Sequence, residues 1–150
     1  MRTQETTPSD IIMLDQLLTP EDRRETMASN PGAQIVWDLL AQLQRAQLNP
    51  QEVTMRSLYS RDGKLLLVGG WSSTGYVWML STVHAKDYPV ETYKGVLECR
   101  RLALSQCPRL YNMMMRTNVD HVRLLEAIGA VFTGPIHGVN GEPFQAFYIE

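Results

Sequence analysis

The sequence predicts one α+β domain, in which a mainly helical N-terminal part precedes a mainly antiparallel sheet flanked by helices. Pairs of threonine or asparagine with proline, which start helices, occur three times before residue 32. Asp62-Gly63 joins two strand-like runs, which is a strong hairpin signal. A chain of 150 residues has the usual size of one domain. We therefore expect a helical part over residues 1–50 and a sheet with two main helices over residues 51–150.

The N-terminal part is predicted to contain one short strand, residues 2–6, and three helices. The three helix-starting pairs are Thr7-Pro8, Thr19-Pro20 and Asn30-Pro31. In each pair the first side chain can accept a backbone N–H bond, and proline fits the first helical position. The third helix is expected to run from Pro31 to Gln47, with apolar residues at helical spacing on one side and a glutamine-rich, solvated face on the other.

The central part of the chain is predicted to form an antiparallel meander. Residues 52–60 and the run LLLV after Gly63 have strand character, and YVWMLSTV has the aromatic and β-branched content of a third strand. A bend is expected between Gly69 and Gly75. Trp71 would lie in this bend, where it either packs inward or is exposed as an anchor for a partner protein.

The C-terminal part is predicted to contain a helix, a strand, a second helix and a final hairpin. The first helix covers Val90 to Cys107, with Tyr93 among its inward-facing residues, and the strand reads RLYNMMMRT. The three methionines of this strand are interpreted as ordinary packing residues. Asn140-Gly141 supplies the turn of the final hairpin.

The second of these helices is bounded by Asn118 and Gly129. The Asn118 side chain is placed to cap the first turn, and Gly129 can adopt the left-handed conformation that ends a helix. Val122, Leu125 and Ile128 form an apolar seam. The segment is therefore fully explained as structural scaffold.

Composition and single residues exclude several kinds of site. The net charge of −2 gives no reason to expect nucleic acid as a partner, and no apolar run is long enough to span a membrane. The N-terminus lacks the apolar core of a secretion signal, so a cytoplasmic protein is expected.

The two cysteines are expected to be reduced. The histidines have no metal-ligand spacing: His84 has an ordinary polar role in a loop, and His121 is expected to be solvated. The three tryptophans are interpreted as packing residues.

The order of the predicted elements resembles that of the acyl-CoA N-acyltransferase (GNAT) fold. In that superfamily an asparagine follows the strand before the second conserved helix, and a tyrosine, a glycine and an aromatic residue close the helix. Asn118, Gly129 and Phe132 partly reproduce this pattern. The run NVDHVRLLEAIGAVF, residues 118–132, is more specifically similar to the small internal virion protein family of T7-like podophages, a GNAT-like family of tailed phages. The likeness covers roughly residues 65–149.

The resemblance implies the fold more strongly than the activity. Acyltransferases of this superfamily hold the cofactor pyrophosphate on a glycine-rich loop at a helix N-terminus. The corresponding loop here, STVHAKDYPVETYKG, has no glycine before Gly95, and Pro89 lacks an amide donor. Leu125 stands where the family commonly has a tyrosine general acid, and an aliphatic side chain cannot donate a proton. We therefore expect a degenerate site with no catalytic residue, no metal and no cofactor.

The resemblance implies a non-enzymatic protein of virion assembly, in the internal core or ejection apparatus. Its expected partners are other phage structural proteins; a homo-oligomer and retention in the virion are left open, and assembly is expected in the host cytoplasm. One alternative is an active acetyl-CoA-dependent N-acyltransferase that holds its cofactor between splayed strands, through backbone groups of Val83 and His84 and through Asn118. A second alternative is a phage inhibitor of a host protein.

Overall fold

The computed structural model describes all 150 residues and contains seven strands and five α-helices. The strands are β1 (Arg2–Glu5), β2 (Val53–Tyr59), β3 (Leu65–Ser72), β4 (Val77–Ser81), β5 (Leu110–Met115), β6 (Val131–Val139) and β7 (Glu142–Ile149). The helices are α1 (Pro8–Leu17), α2 (Pro20–Ser29), α3 (Ile35–Leu48), α4 (Pro89–Gln106) and α5 (Val119–Ala127), and a short 3₁₀ helix covers Val83–Asp87. The predicted α+β class is confirmed.

The strands form two antiparallel sheets, with orders β1-β2-β3-β4 and β5-β7-β6. Both predicted hairpins are present. Gly63 has a φ of 86° in the turn between β2 and β3, and Asn140 and Gly141 have φ values of 51° and 84° between β6 and β7. Left-handed conformations at both central residues are those of a type I′ turn, which explains the Asn-Gly pair.

The two sheets meet at the first residues of β4 and β5. The Tyr111 N–H donates to the Gly75 carbonyl at 2.9 Å, and Asn112 Nδ2 donates to the Val77 carbonyl at 2.6 Å. Tyr76 and Tyr111 form a parallel bridge at this junction. Beyond it the two strands diverge, so the combined sheet is mixed and opens into a V.

The first two helices begin as the sequence predicts, but α3 does not. Thr7 and Asp10 form a reciprocal capping box, and the Thr19 hydroxyl accepts the Asp22 N–H. The predicted start of α3 at Asn30-Pro31 is wrong, because that pair forms a turn and the helix begins four residues later at Ile35.

Two apolar cores lie on opposite faces of the four-stranded sheet. One packs α1 and α3 on the sheet through residues such as Ile11, Leu39 and Val68. The larger core joins α4, α5 and both sheets through residues such as Leu58, Val96 and Leu125. The N-terminal helices therefore cover one face, and the two later helices cover the other.

The tryptophan predictions are partly wrong. Trp71 lies inside β3, which continues through the predicted glycine bend, and it is buried with Nε1 donating to Gln106 Oε1 at 3.0 Å. It is therefore no exposed anchor. Gly69 and Gly70 fit this strand because β4 passes close by: a Cβ at Gly70 would lie 2.9 Å from the Trp78 ring. Trp37, in contrast, is 70% exposed and does not pack in the core.

The C-terminal elements match the prediction with local exceptions. Tyr93 points outward, and Thr92 and Gly95 take the buried positions on α4. The cysteines are free thiols. In β5 two of the three methionines are buried and Met113 is exposed. Gly129, with a φ of 95°, ends α5 as predicted.

Candidate functional site

The diverging strands β4 and β5 leave a gap between them. It forms an open cleft of about 990 Å³ that reaches both faces of the sheet and is lined mainly by apolar side chains. Trp78 and Met79 contribute from β4, and Tyr111 and Met113 contribute from β5. The alternation of an antiparallel ladder directs the backbone groups of Met79 away from β3 and into this cleft.

Helix α2 closes the wide end of the V with two carboxylates that lie one turn apart. Asp22 Oδ2 accepts the Ser81 N–H at 2.6 Å, at the end of β4. The Glu25 carboxylate lies near the Met115 N–H, at the end of β5, and this group lowers the pKa of Glu25. The Thr19 N–H also donates to the Ser81 carbonyl at 3.1 Å. Edge groups that would otherwise face an open cleft are thereby bonded to α2.

Asn118 links the two carboxylates from the opposite side. Its Nδ2 donates to Asp22 Oδ1 at 2.7 Å and to Glu25 Oε1 at 3.1 Å, and the residue is buried. The predicted role as a side-chain cap is wrong: Asn118 occupies the N-cap position of α5, but its side chain makes no cap bond. The amide is turned toward α2 because two buried carboxylates need a donor more than an exposed helix end does.

His121 completes the buried polar group formed by Asp22, Glu25 and Asn118. Its side chain is only 12% exposed, so the prediction of a solvated histidine is wrong. Nδ1 lies 3.9 Å from Glu25 Oε1 and has no hydrogen-bond partner. The sequence predicts an exposed histidine, because His121 stands on the first turn of an amphipathic helix. It is buried only because α2 packs against α5.

Burial favours the neutral form of both Glu25 and His121. Burial raises the pKa of Glu25 to about 7, with a smaller increase from Asp22, although the bonds from Asn118 and Met115 oppose it. Burial also lowers the pKa of His121, which the Asp22 charge partly offsets. We therefore interpret the 3.9 Å approach of the two groups as a contact between neutral partners rather than as an ion pair.

Replacing Glu25 with glutamine is expected to change how stability depends on pH. The folded-state pKa of Glu25 is raised from 4.5 to about 7, so its contribution is most favourable below about pH 4.5 and is lost as the pH rises through 7. This shift corresponds to about 3 kcal/mol. Glu25→Gln should therefore be more stable than the wild type at pH 8, by up to that amount, and similar to it at acidic pH.

Urea unfolding at several pH values measures this effect. In the variant the remaining trend should come from His121: its lowered pKa makes stability fall as the pH drops below about 6.5. Glu126→Gln, at an exposed position of α5, is the matched control and should leave the profile unchanged. Parallel profiles for wild type and Glu25→Gln would show that Glu25 does not titrate near neutrality.

The acyltransferase alternative assigns cofactor binding to Val83, His84 and Asn118, and the structure does not place these three residues around one cleft. Val83 is exposed in the 3₁₀ helix, and the His84 N–H is already bonded to the Thr82 hydroxyl at 3.2 Å. Neither lines the large cleft or the second, smaller cleft of about 430 Å³ beside α2. Asn118 does line the second cleft, but its side-chain amide is bonded to the carboxylates of α2.

The segment before α4, which would hold a pyrophosphate in an acyltransferase, contains a proline and lies beside two carboxylates. Helix α4 begins at Pro89, and Glu91 in its first turn accepts the Arg61 N–H at 3.2 Å. The hydroxyl of Tyr88 donates to Asp62 at 2.5 Å just before the helix. Acidic side chains around a helix N-terminus compete with a bound anion for the same electrostatic field. Leu125, in place of a tyrosine, is buried in the larger core.

Sequence reasoning missed the two acids of α2. Asp22 and Glu25 stand in the polar segment PEDRRETMAS, whose composition is typical of a solvated helix. Nothing in the spacing of this segment indicates that one side of it packs between two strands, because the partners Ser81 and Asn118 are distant in the chain.

No group of three or more histidine, cysteine, aspartate or glutamate side chains is arranged to hold a metal ion. None of the helices has the combined length and hydropathy of a membrane-spanning segment.

Several acetyltransferases have solved structures that are similar to this fold. The ribosomal-protein-alanine N-acetyltransferase from Brucella melitensis matches with a TM-score of 0.72 and 9% identity, over 99% of this chain and 98% of that chain. Spermidine N-acetyltransferase from Vibrio cholerae, in complex with CoA and spermine, gives a TM-score of 0.69 and 12% identity, over 99% and 94%. A putative acetyltransferase from Acinetobacter baylyi gives 0.69 and 16%, over 99% and 91%. The predicted GNAT-like fold is confirmed, and identities this low show the fold alone.

The amino-acid sequence itself matches one family. The sequence model of the family described as "Bacteriophage T7, probable scaffold protein Gp13" matches residues 55–135, which is more than half of the chain. No curated protein is a significant match to the sequence. The matched range runs from β2 to the first half of β6 and includes both sides of the cleft as well as Asn118 and His121.

Proposed function

Because the chain belongs to the bacteriophage T7 probable scaffold protein family, we propose that it acts in phage assembly through protein contacts and does not transfer acyl groups. Within the particle we assign it to the assembly of the internal core or ejection apparatus, with other phage structural proteins as partners. Assembly would take place in the cytoplasm of the host. The GNAT-like fold serves here as a scaffold whose cofactor site is degenerate.

One observation carries the non-enzymatic part of the proposal: α2 fills the wide end of the V. A cofactor arm lying between the strands would need the free N–H groups of β4 and β5. At the wide end, the Ser81 N–H is already bonded to Asp22, and the Glu25 carboxylate lies near the Met115 N–H. Displacing α2 would leave the Ser81 N–H and the buried Asn118 amide without their acceptors, which costs several kcal/mol. The pyrophosphate loop without glycine supports the same proposal.

Acetyl-CoA is expected not to stabilise the protein. A ligand present at a thousandfold excess over its dissociation constant stabilises a fold by about 4 kcal/mol, so millimolar acetyl-CoA would reveal micromolar binding as a large rise in unfolding temperature. We expect no rise, because the Ser81 N–H at the end of β4 is already bonded to Asp22 and the loop before α4 has no glycine. An active acetyltransferase of the same fold, measured in parallel, is the positive control. A clear rise here, with heat of binding in calorimetry, would favour the acyltransferase alternative.

The assembly role is tested in the phage itself. A stop codon in the gene for this chain should yield particles that lack internal core or ejection proteins, as measured by mass spectrometry of purified particles. Supplying the wild-type chain from a plasmid should restore both composition and infectivity. Particles of unchanged composition with a growth defect would contradict the proposal and favour inhibition of a host protein instead.

A further inference from the structure

Helix α3 carries an exposed stripe on the side opposite to its buried residues. The stripe consists of Trp37, Ala41, Gln44 and Leu48, whose spacings of four, three and four are those of a coiled-coil seam. The buried residues of the helix are Ile35, Leu39 and Leu43. Trp37 is 70% exposed and Leu48 is 71% exposed. Tryptophan is the side chain most enriched among residues that dominate protein interfaces.

Two opposite charges lie on one flank of the α3 stripe. Asp38 and Arg45 are seven residues apart, so they point in nearly the same direction from the helix. Both are exposed, and Arg45 makes no ion pair within the chain. Asp38 accepts the Gln34 N–H with one oxygen, Oδ2, and its other oxygen is available. The flank is electrically neutral, so two copies of it do not repel each other.

The arrangement of these charges fits a second α3 in antiparallel orientation. When two identical helices pack antiparallel about a two-fold axis, the same flank of each faces the other, and the residue order is reversed. Asp38 of one helix then lies beside Arg45 of the other, and the reciprocal pair forms at the same time. In a parallel pair, Asp38 of one helix would be level with Asp38 of the other, and Arg45 with Arg45. The opposite charges would then not be paired.

We propose that this face binds a second copy of the same chain, with the two α3 helices antiparallel across a two-fold axis. Trp37 of each copy packs on the partner's Leu48 at the two ends, and the small side chain of Ala41 lets the helices approach beside Gln44. Helix α3 has 14 residues and a length of about 21 Å, so the contact is small. Association is therefore expected in the roughly micromolar range, typical of small interfaces. This inference goes beyond the proposed function and is independent of it.

Sedimentation velocity of the purified chain over a wide range of concentrations tests the self-association. The wild type should pass from monomer to dimer, and Trp37→Ser should weaken the association roughly tenfold or more, because it removes the main apolar contact at both ends. Ala41→Glu should abolish it by placing two carboxylates at the centre of the contact. Arg123→Glu, an exposed charge reversal on α5, is the matched control and should leave association unchanged.

A charge exchange tests the orientation. Asp38→Arg and Arg45→Asp should each weaken the dimer, since each places like charges together, and the double variant should restore it because the pairs form again with exchanged signs. Circular dichroism confirms that each variant is folded before association is compared. A chain that stays monomeric throughout, a dimer insensitive to Trp37, or a double variant that remains weak would each overturn the antiparallel arrangement. Because purified protein is used, failure here leaves the assembly experiment unaffected.

Discussion

Asn118→Asp is expected to destabilise the fold by about 3–5 kcal/mol at neutral pH, as is usual when a buried charge loses its partner. The substitution removes the amide that donates to Asp22 at 2.7 Å and to Glu25 at 3.1 Å. It also adds a third carboxylate to a buried site that already holds two. Asn118→Ala removes the same two bonds without adding a charge, so its expected cost is smaller, about 2 kcal/mol.

Urea unfolding of both variants measures these costs, and a second substitution tests their cause. Combining Asn118→Asp with Asp22→Asn exchanges amide and carboxylate, so the new amide can donate to residue 118 while its oxygen still accepts the Ser81 N–H. Much of the lost stability should return, whereas Asn118→Ala combined with Asp22→Asn should show no such recovery. If Asn118→Asp proves nearly neutral and only Asn118→Ala is costly, Asn118 acts as a helix cap after all.

Gly75→Ala is expected to cost about 3 kcal/mol or more, because it combines backbone strain with a backbone clash. Gly75 has a φ of 94°, and a Cβ there would lie 2.2 Å from the Arg109 carbonyl oxygen. A clash with backbone cannot be relieved by a rotamer change. The carbonyl of Gly75 also accepts the Tyr111 N–H at 2.9 Å, so any shift breaks the junction between the two sheets.

Gly63→Ala separates the two contributions. Gly63 has a similar φ of 86°, but nothing lies within 4 Å of a Cβ built there. This control should show only the conformational cost, about 1–2 kcal/mol. Thermal unfolding of the two variants gives the comparison, and the difference between them measures the crowding at the sheet junction. Equal costs would mean that β4 and β5 can move apart at their closest point without loss of stability.

Local signals in the sequence predicted most of the fold. The Thr-Pro pairs place the starts of α1 and α2, the Asp-Gly and Asn-Gly pairs place two hairpins, and Gly129 marks the end of α5. These predictions depend on backbone conformations that few residues can adopt, so a short stretch is sufficient. The start of α3 was predicted wrongly because Asn30-Pro31 supports a turn as well as a helix start.

The polar group at the wide end of the V could not be predicted in this way. Asp22 and Asn118 are separated by 96 positions, and each has a plausible local explanation, as a surface acid and as a helix cap. Their actual roles depend on burial, which comes from the packing of α2 across two strands. Trp37 shows the opposite error, since an aromatic side chain expected in the core is exposed.

The position of α2 in the chain also matters while the protein is being made. β4 is the last strand of its sheet, and unpaired backbone groups on an edge strand are a template for aggregation. Thr19 and Asp22 bond both backbone groups of Ser81, and both residues are synthesised before β4. This part of the edge can therefore be covered as soon as β4 leaves the ribosome, before β5 has emerged. In this order of events helix α2 would keep the Ser81 end of the unfinished sheet from pairing with another chain.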